Sequence, residues 1–123
     1  MININFRDGR PIYEQVRDGF RTLILSGALP TGYKMPSVRE LAATLAINPN
    51  TIQRAYRELE AEGYTVSSPG KGSYVCLPDE AVMKRREELR QEFLSLAAEL
   101  RQIGVGDEEM ISLIKGGSGN DKS

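Results

Sequence analysis

The chain has 123 residues, 40% of them hydrophobic and 27% charged, which is the composition of a soluble protein with one modest core. A single cysteine excludes an internal disulfide, and the absence of histidine removes the usual nitrogen ligand of zinc, so we expect no metal site and no cofactor. The sequence contains neither a signal peptide nor an apolar run of membrane-spanning length. We therefore expect a cytoplasmic protein with no membrane partner.

Charge is distributed unevenly along the chain, although the net charge is only -1. Up to Leu77 there are nine Lys and Arg residues and seven Asp and Glu residues, whereas beyond Leu77 the counts are seven and ten. The N-terminal part is thus mildly basic and the C-terminal part acidic. The basic part is the better candidate for contact with a polyanion.

A first helix is predicted after Pro11, a residue that suits the first turn of a helix. The apolar residues that follow have the spacing of one buried helix face: Ile12, Val16, Phe20, Leu23 and Ile24. The next segment, ALPTGYKMP, is rich in Pro and Gly and is predicted to be a connecting loop. A short second helix is predicted to start at Ser37 as N-cap, with Glu40 as its capping-box partner.

The third predicted helix has two chemically different faces. Asn48 is its predicted N-cap and Pro49 its first residue. At about 100° per residue, one side carries the apolar residues Ile52, Ala55, Tyr56 and Leu59. The opposite side, here called the polar face, carries Asn50, Gln53, Arg54 and Arg57. Glu58, Glu60 and Glu62 lie toward the far end of the helix, so the start of the polar face is free of acidic residues.

Two short β-prone runs, YTVSS and SYVC, flank the turn PGKG after Gly63 and predict a β-hairpin. The resulting order is helix, short helix, tight turn, helix and hairpin, which is the pattern of a winged helix-turn-helix. We assign 1–77 to this domain. The predicted fold class is mostly α with a small β-hairpin wing, in which an N-terminal winged helix-turn-helix is followed by a C-terminal helical segment.

The second helix of a helix-turn-helix reads base edges in the major groove, where Asn and Gln suit adenine and Arg suits guanine. The glycines at the hairpin tip allow the backbone to approach a phosphate closely. A polar helix face is more often merely solvated, so each residue alone proves little, and only the combination favours DNA. The candidate DNA-binding residues are Arg39, Asn50, Thr51, Gln53, Arg54, Arg57, Gly70 and Lys71.

Residues 78–115 are predicted to form a helical dimerisation segment. Its apolar residues recur at heptad spacing, so the helix either folds back on the N-terminal domain or meets a second copy of itself, and we favour the second arrangement. Arg86 at a core position argues against a long coiled coil and favours a compact helical bundle, and an ordinary packing stripe is the alternative. The candidate dimer-interface residues are Val82, Leu89, Phe93, Leu96, Leu100, Ile103, Met110 and Ile114. Residues 116–123 have the composition of a disordered tail.

Four motifs, PIYEQV, MPSVRELA, NPNTIQRAYRELEAEG and GKGSYV, closely resemble the DNA-binding domain of the GntR family of bacterial transcription regulators, and among its branches the short YtrA-like one. The resemblance implies a homodimer that binds a palindromic operator on double-stranded DNA. It also implies repression of the protein's own operon, often one that encodes a transporter. By position, it implies DNA contacts from Arg39, Asn50, Thr51, Gln53 and Arg54 in the helices and from Gly70 and Lys71 in the wing. The C-terminal segment is too small for the effector-binding domain that larger family members carry. The sequence identifies no small-molecule effector.

An enzyme is not expected, because histidine is absent, Cys76 lacks a visible base, and PGKGS lacks the spacing of a nucleotide-binding loop. The alternative that remains is a winged-helix protein-interaction module without sequence-specific DNA binding, in which the polar face meets an acidic partner. A DNA-binding regulator and a protein-interaction module differ in one measurable respect. Only in the regulator, which reads bases, should substitutions on the polar face change the preferred DNA sequence.

Overall fold

The computed structural model describes residues 2–116. Within this range the chain forms five helices and one two-stranded antiparallel sheet. The elements are α1 (Ile12–Leu25), α2 (Val38–Leu45), α3 (Pro49–Ala61), β1 (Thr65–Ser68), β2 (Gly72–Val75), α4 (Asp79–Gln102) and α5 (Asp107–Gly116). The predicted fold class, mostly α with a small β-hairpin wing, is confirmed. The predicted tail lies outside the described residues except for Gly116, which ends α5.

Contacts within the chain divide it into two compact units, and the division falls after Met83, inside α4. The first unit holds α1 to α3, the hairpin and the first residues of α4. The second unit holds the remainder of α4 together with α5. No helix among residues 2–116 is both long and apolar enough to cross a membrane.

The core of the first unit lies between α1 and α3. Phe20 of α1 and Tyr56 of α3 meet edge to face, with ring centroids 5.8 Å apart and an interplanar angle of 84°. Such aromatic pairs contribute about 0.5–1.5 kcal/mol beyond the burial of their surface. Both predicted apolar faces are confirmed, because the buried residues of these two helices include Val16, Phe20, Ile24, Ile52, Ala55, Tyr56 and Leu59.

Both predicted helix starts in the helix-turn-helix are confirmed. At α2, the Ser37 hydroxyl accepts a 3.0 Å hydrogen bond from the Glu40 backbone N–H, and the Glu40 carboxylate accepts one of 3.1 Å from the Ser37 N–H. At α3, the Asn48 side-chain oxygen accepts a 2.8 Å hydrogen bond from the Asn50 N–H. These caps satisfy backbone donors that the first turn of a helix leaves unpaired.

The turn between α2 and α3 is tight because Ala46 adopts the left-handed conformation, with φ 57° and ψ 48°. The Ala46 and Ile47 N–H groups donate back to carbonyl groups near the end of α2. This closure ends α2 after Leu45 and turns the chain directly into the cap of α3. The connection between the two helices therefore needs only a few residues.

The hairpin has the predicted position, and its register pairs Thr65 with Val75 and Ser68 with Gly72. One part of the wing was not predicted. Residues 33–35, expected to be loop, pair with the free edge of β2: the Met35 N–H donates to Ser73 O at 2.9 Å, and the Val75 N–H donates to Tyr33 O at 2.8 Å. An uncovered strand edge presents unpaired backbone groups, and this segment satisfies some of them.

In the second unit, Ala97 of α4 is buried, with 8% of its surface exposed. Helix α5 begins at Asp107, after the glycine-containing turn that ends α4. The Asp107 carboxylate accepts a 2.9 Å hydrogen bond from Arg101 Nε near the end of α4. This ion pair ties the two helices across the turn that contains Gly104 and Gly106.

Candidate nucleic-acid interface

The polar face of α3 is exposed at all four of its positions, Asn50, Gln53, Arg54 and Arg57. Thr51, the other predicted contact on this helix, is half-buried. The first turn of α3 contains no acidic residue. The N-terminal end of a helix carries a partial positive charge, and without a local carboxylate this charge remains available to an anion.

Arg54 is not a free side chain, although it is exposed. Its guanidinium carbon lies 3.7 Å from the centroid of the Tyr13 ring on α1, and its Nη2 donates a 3.1 Å hydrogen bond to the Tyr13 hydroxyl. Its Nε lies 3.7 Å from Glu58 Oε2, one turn further along α3. The sequence placed Glu58 toward the far end of the helix, but it lies close enough to pair with the polar face.

The acidic end of α3 is engaged mainly by α1. Glu58 Oε1 accepts a 2.6 Å hydrogen bond from Arg17 Nη1, and Glu62 Oε1 accepts one of 3.3 Å from Arg21 Nη1. Asp18 on α1 accepts further bonds from both arginines. These contacts place the carboxylates of Glu58 and Glu62 against cations of α1, which limits their repulsion of a polyanion bound at the start of α3.

The same contacts shift two pKa values. Partial burial of Asp18 acts to raise the pKa of its carboxyl, but hydrogen bonds from Arg17 and Arg10 outweigh this and hold the pKa below its ordinary value. Burial likewise acts to lower the pKa of Arg17, and its bonds to Asp18 and Glu58 more than compensate, so the pKa is raised. Each shift favours the charged form of its group, so the network widens the range of pH over which both groups are ionised.

The wing tip and the start of α2 enclose a cleft of about 640 Å³, with Lys34 and Lys71 among the lining residues. Gly70 and Lys71 are exposed, and Gly70 has a φ of 75°, a conformation that favours glycine. The Lys71 N–H donates to Ser68 O at 2.8 Å and closes the turn. Arg39, the predicted contact from α2, is also exposed.

Lys34 was missed by sequence reasoning, which treated its segment as loop. Its backbone pairs with Tyr74 of β2, and its side chain passes 3.4 Å from the position that a Cβ would take at Gly72. This pairing joins residues that are distant in sequence, so no local pattern could have found it. The cation of Lys34 thus accompanies that of Lys71 at the cleft.

The predicted dimer-interface residues divide between the two units. Val82 lies in the first unit and is half-buried, as are Leu100 and Met110 in the second. The remaining five are exposed: Leu89 46%, Phe93 53%, Leu96 60%, Ile103 78% and Ile114 59%. Helices α4 and α5 also form an apolar groove of about 210 Å³, lined by Phe93, Leu96, Ala97, Leu100, Met110, Leu113 and Ile114.

The described part of the chain contains no group of three or more His, Cys, Asp or Glu side chains that could hold a metal ion. What it does contain is a helix pair joined by a tight turn, a second helix with an exposed polar face, and a two-stranded wing with a glycine-rich tip. These features define a winged helix-turn-helix, the architecture of many DNA-binding regulators.

Residues 12–75 match the profile of the bacterial regulatory proteins of the gntR family. The HTH-type transcriptional repressor YtrA of Bacillus subtilis is 36% identical over an alignment 130 positions long, gaps included. The alignment covers 98% of this chain and 100% of that protein. The chain therefore belongs to the GntR family and is a DNA-binding transcriptional regulator. The resemblance to the short YtrA-like branch is confirmed.

Solved structures agree with this assignment. A GntR family transcriptional regulator from Listeria monocytogenes has a TM-score of 0.78 and 34% sequence identity, with 91% of this chain and 99% of that chain covered. The DNA-binding domain of AraR, solved in complex with operator ORR3, has a TM-score of 0.53 and 26% identity, with 60% of this chain and 89% of that one covered. The operator complex supports double-stranded DNA as the partner of this chain.

Proposed function

We propose that the chain is a homodimeric, cytoplasmic transcriptional repressor that binds a palindromic operator, with α3 in the major groove and the wing on the adjacent backbone. The observation that carries this proposal is the division of α3 into a fully buried apolar side and an exposed polar face that begins at a carboxylate-free helix start. A carboxylate-free start favours a helix inserted among phosphates, because it avoids charge repulsion there, and it gives no such advantage to a helix that is only solvated.

The residues of the polar face are assigned by their chemistry. Asn50 and Gln53 each carry an amide that can bond adenine through two atoms, and Arg54 can do the same with guanine. Thr51 and Arg57 are assigned to phosphate, since a hydroxyl and a long cation suit the backbone. Arg57 is three residues beyond Arg54 on α3, and so lies next to it along the same helix face.

The wing is assigned to the phosphate backbone. Gly70 gives a phosphate access to the main chain, and Lys71 supplies a cation. Lys34 is added to this group because its cation borders the same cleft. Arg39 is assigned to the backbone or to a neighbouring base, as expected from its position one residue into α2.

Dimerisation is supported by the exposed apolar residues of the C-terminal unit. The exposed fraction of the surface is 53% for Phe93 and 60% for Leu96, and both residues line a groove that is almost entirely apolar. An apolar groove flanked by such residues is a typical association surface, and the two-fold pair it would form matches a two-fold operator. The interface residues proposed are Val82, Leu89, Phe93, Leu96, Leu100, Ile103, Met110 and Ile114.

Repression is proposed because the curated relative YtrA is described as a repressor. The family resemblance further favours autoregulation of an operon that encodes a transporter, with no enzymatic activity and no cofactor. A small-molecule effector is not assigned. The position of the operator relative to promoters would test repression and the regulated genes together.

The deciding experiment is selection of bound sequences from a random duplex DNA library with the purified chain. We expect an inverted repeat, with a half-site spacing that reports the separation of the two α3 helices. Arg54→Ala should then weaken operator binding by about 1–3 kcal/mol and relax preference at one base position. Lack of enrichment at low salt would contradict the proposal and would favour the protein-interaction module.

A further inference from the structure

Tyr13, in the first turn of α1, makes two contacts with Arg54 on α3. The centroid of its ring lies 3.7 Å from the guanidinium carbon, and its hydroxyl accepts a 3.1 Å hydrogen bond from Nη2. The ring is partly buried and packs against the hydrophobic core, so it is held in place by the fold. Arg54, in contrast, keeps 54% of its side-chain surface exposed. A fixed ring thus supports an exposed cation.

The stack leaves Arg54 able to bind another group. A guanidinium carries five N–H donors, so a contact with one ring and one hydroxyl leaves most of them available to another partner. The hydrogen bond to Tyr13 involves Nη2 alone. Stacked arginine is therefore well suited to planar recognition of a base or a phosphate, because its orientation is fixed before the partner arrives.

Glu58 does not cancel the charge of Arg54. Its Oε1 accepts a hydrogen bond of 2.6 Å from Arg17, whereas its Oε2 lies 3.7 Å from Arg54 Nε. The shorter contact draws the carboxylate toward α1, and an exposed pair at the longer distance contributes little. Glu58 thus pairs mainly with Arg17, and Arg54 makes its shortest contacts with Tyr13.

We propose that Tyr13 is a positioning residue for DNA recognition, which acts by holding the guanidinium of Arg54 ready for the operator. The inference rests on the proposed function, since it gives Tyr13 a role only through Arg54. An unrestrained arginine loses rotamer entropy when DNA fixes it, whereas an arginine already stacked on Tyr13 has lost most of that entropy on folding. Operator affinity should therefore depend on the ring of Tyr13 through its effect on Arg54.

The first test needs no DNA. Nitrogen relaxation at Arg54 Nε is measured in the parent chain and in the Tyr13→Leu and Tyr13→Phe variants, with Arg57 Nε as an exposed reference on the same helix. We expect restricted Arg54 motion in the parent and in Tyr13→Phe, which keeps the stacking ring, and free motion in Tyr13→Leu. Equal mobility of Arg54 in the parent and in Tyr13→Leu would overturn the inference.

The second test is a double-mutant cycle on operator binding. Tyr13→Leu should weaken binding between about twofold and tenfold, the range that corresponds to immobilising one flexible side chain. Tyr13→Phe should restore most of the parent affinity. In an Arg54→Ala background, Tyr13→Leu should have no further effect on operator affinity, because the guanidinium that Tyr13 holds is already absent.

Thermal unfolding of every variant separates positioning from folding. An equal loss of affinity from Tyr13→Leu in both backgrounds would assign Tyr13 a purely structural role and would refute the inference. If the parent chain selects an operator and Arg54→Ala weakens binding, failure of the cycle is failure of this inference alone. If the parent selects no operator, the proposed function fails and the inference fails with it.

Discussion

The hydroxyl of Tyr56 on α3 donates a 2.7 Å hydrogen bond to the backbone carbonyl of Pro36, the residue before the N-cap of α2. This bond joins the middle of α3 to the entry of α2, so the two helices of the helix-turn-helix are tied at a point remote from their turn. Burial, together with the nearby Tyr33 and Glu40, raises the pKa of Tyr56 above its ordinary value and keeps the hydroxyl protonated as a donor.

Tyr56→Phe tests the contribution of this bond. The ring and its edge-to-face contact with Phe20 are retained, but the carbonyl of Pro36 loses its donor. We expect the free energy of unfolding to fall by about 1–2 kcal/mol, the cost of an unpaired, partly buried acceptor. Chemical denaturation of the parent and of Tyr56→Phe measures this difference in the free energy of unfolding. A variant as stable as the parent would mean that solvent satisfies Pro36 equally well.

Asp18→Asn should destabilise the chain in a pH-dependent way. The folded-state pKa of Asp18 is lowered by its arginine partners, so the ionised carboxylate stabilises the fold above its unfolded pKa of about 3.9. That stabilisation is lost as the pH falls through the lower folded pKa. The stability difference between parent and variant should therefore be present at pH 7 and should disappear in acid.

Denaturation of parent and Asp18→Asn over a series of pH values measures this difference. A gap between the two chains that stayed constant from neutral to strongly acidic pH would show that Asp18 acts by shape and hydrogen bonding, without its charge.

Lys71→Ala tests the wing. Loss of one phosphate contact should lower operator affinity uniformly across sequences and reduce the slope of log K against log salt by about 1 per half-site contact. Lys115→Ala, in the last turn of α5, is the matched control for net charge. An unchanged salt slope for Lys71→Ala would remove the wing tip from the proposed interface.

Phe93→Asp tests the dimer. A carboxylate placed in the apolar groove of α4 and α5 would be desolvated on association, so we expect monomers and weak operator binding. Leu94→Asp is the control, because Leu94 is comparably exposed at 46% but does not line the groove. Light scattering gives the mass of each variant. Dimeric Phe93→Asp, or monomeric Leu94→Asp, would contradict the proposed interface.

The helices of the first unit could be predicted from sequence because their signals are local. The capping box at Ser37 and Glu40, the Asn48 cap and the two faces of α3 each depend on residues within a few positions of one another. The contact between Tyr13 and Arg54 spans 41 positions, and no periodicity reports it. The same reason explains the unpredicted pairing of Lys34 with Tyr74.

The contacts of the polar face were likewise only partly predictable from local sequence signals. Its residues could be chosen from helical geometry, but the pairing of Arg54 with Glu58 depends on side-chain directions that the sequence does not specify. Helical positions four residues apart are close enough to interact, and whether they do depends on competing partners. Here Arg17 is the competitor, and it comes from another helix.

Ala46 bends the chain between α2 and α3 and is the single non-glycine residue with positive φ among residues 2–116. A side chain with a Cβ costs about 1–2 kcal/mol in this conformation. Glycine at this position would remove that cost and raise the free energy of unfolding. The greater conformational entropy of the unfolded chain would offset part of the increase. This bend is therefore an opportunity for engineering, where thermostability could be raised without altering any side chain proposed to meet DNA.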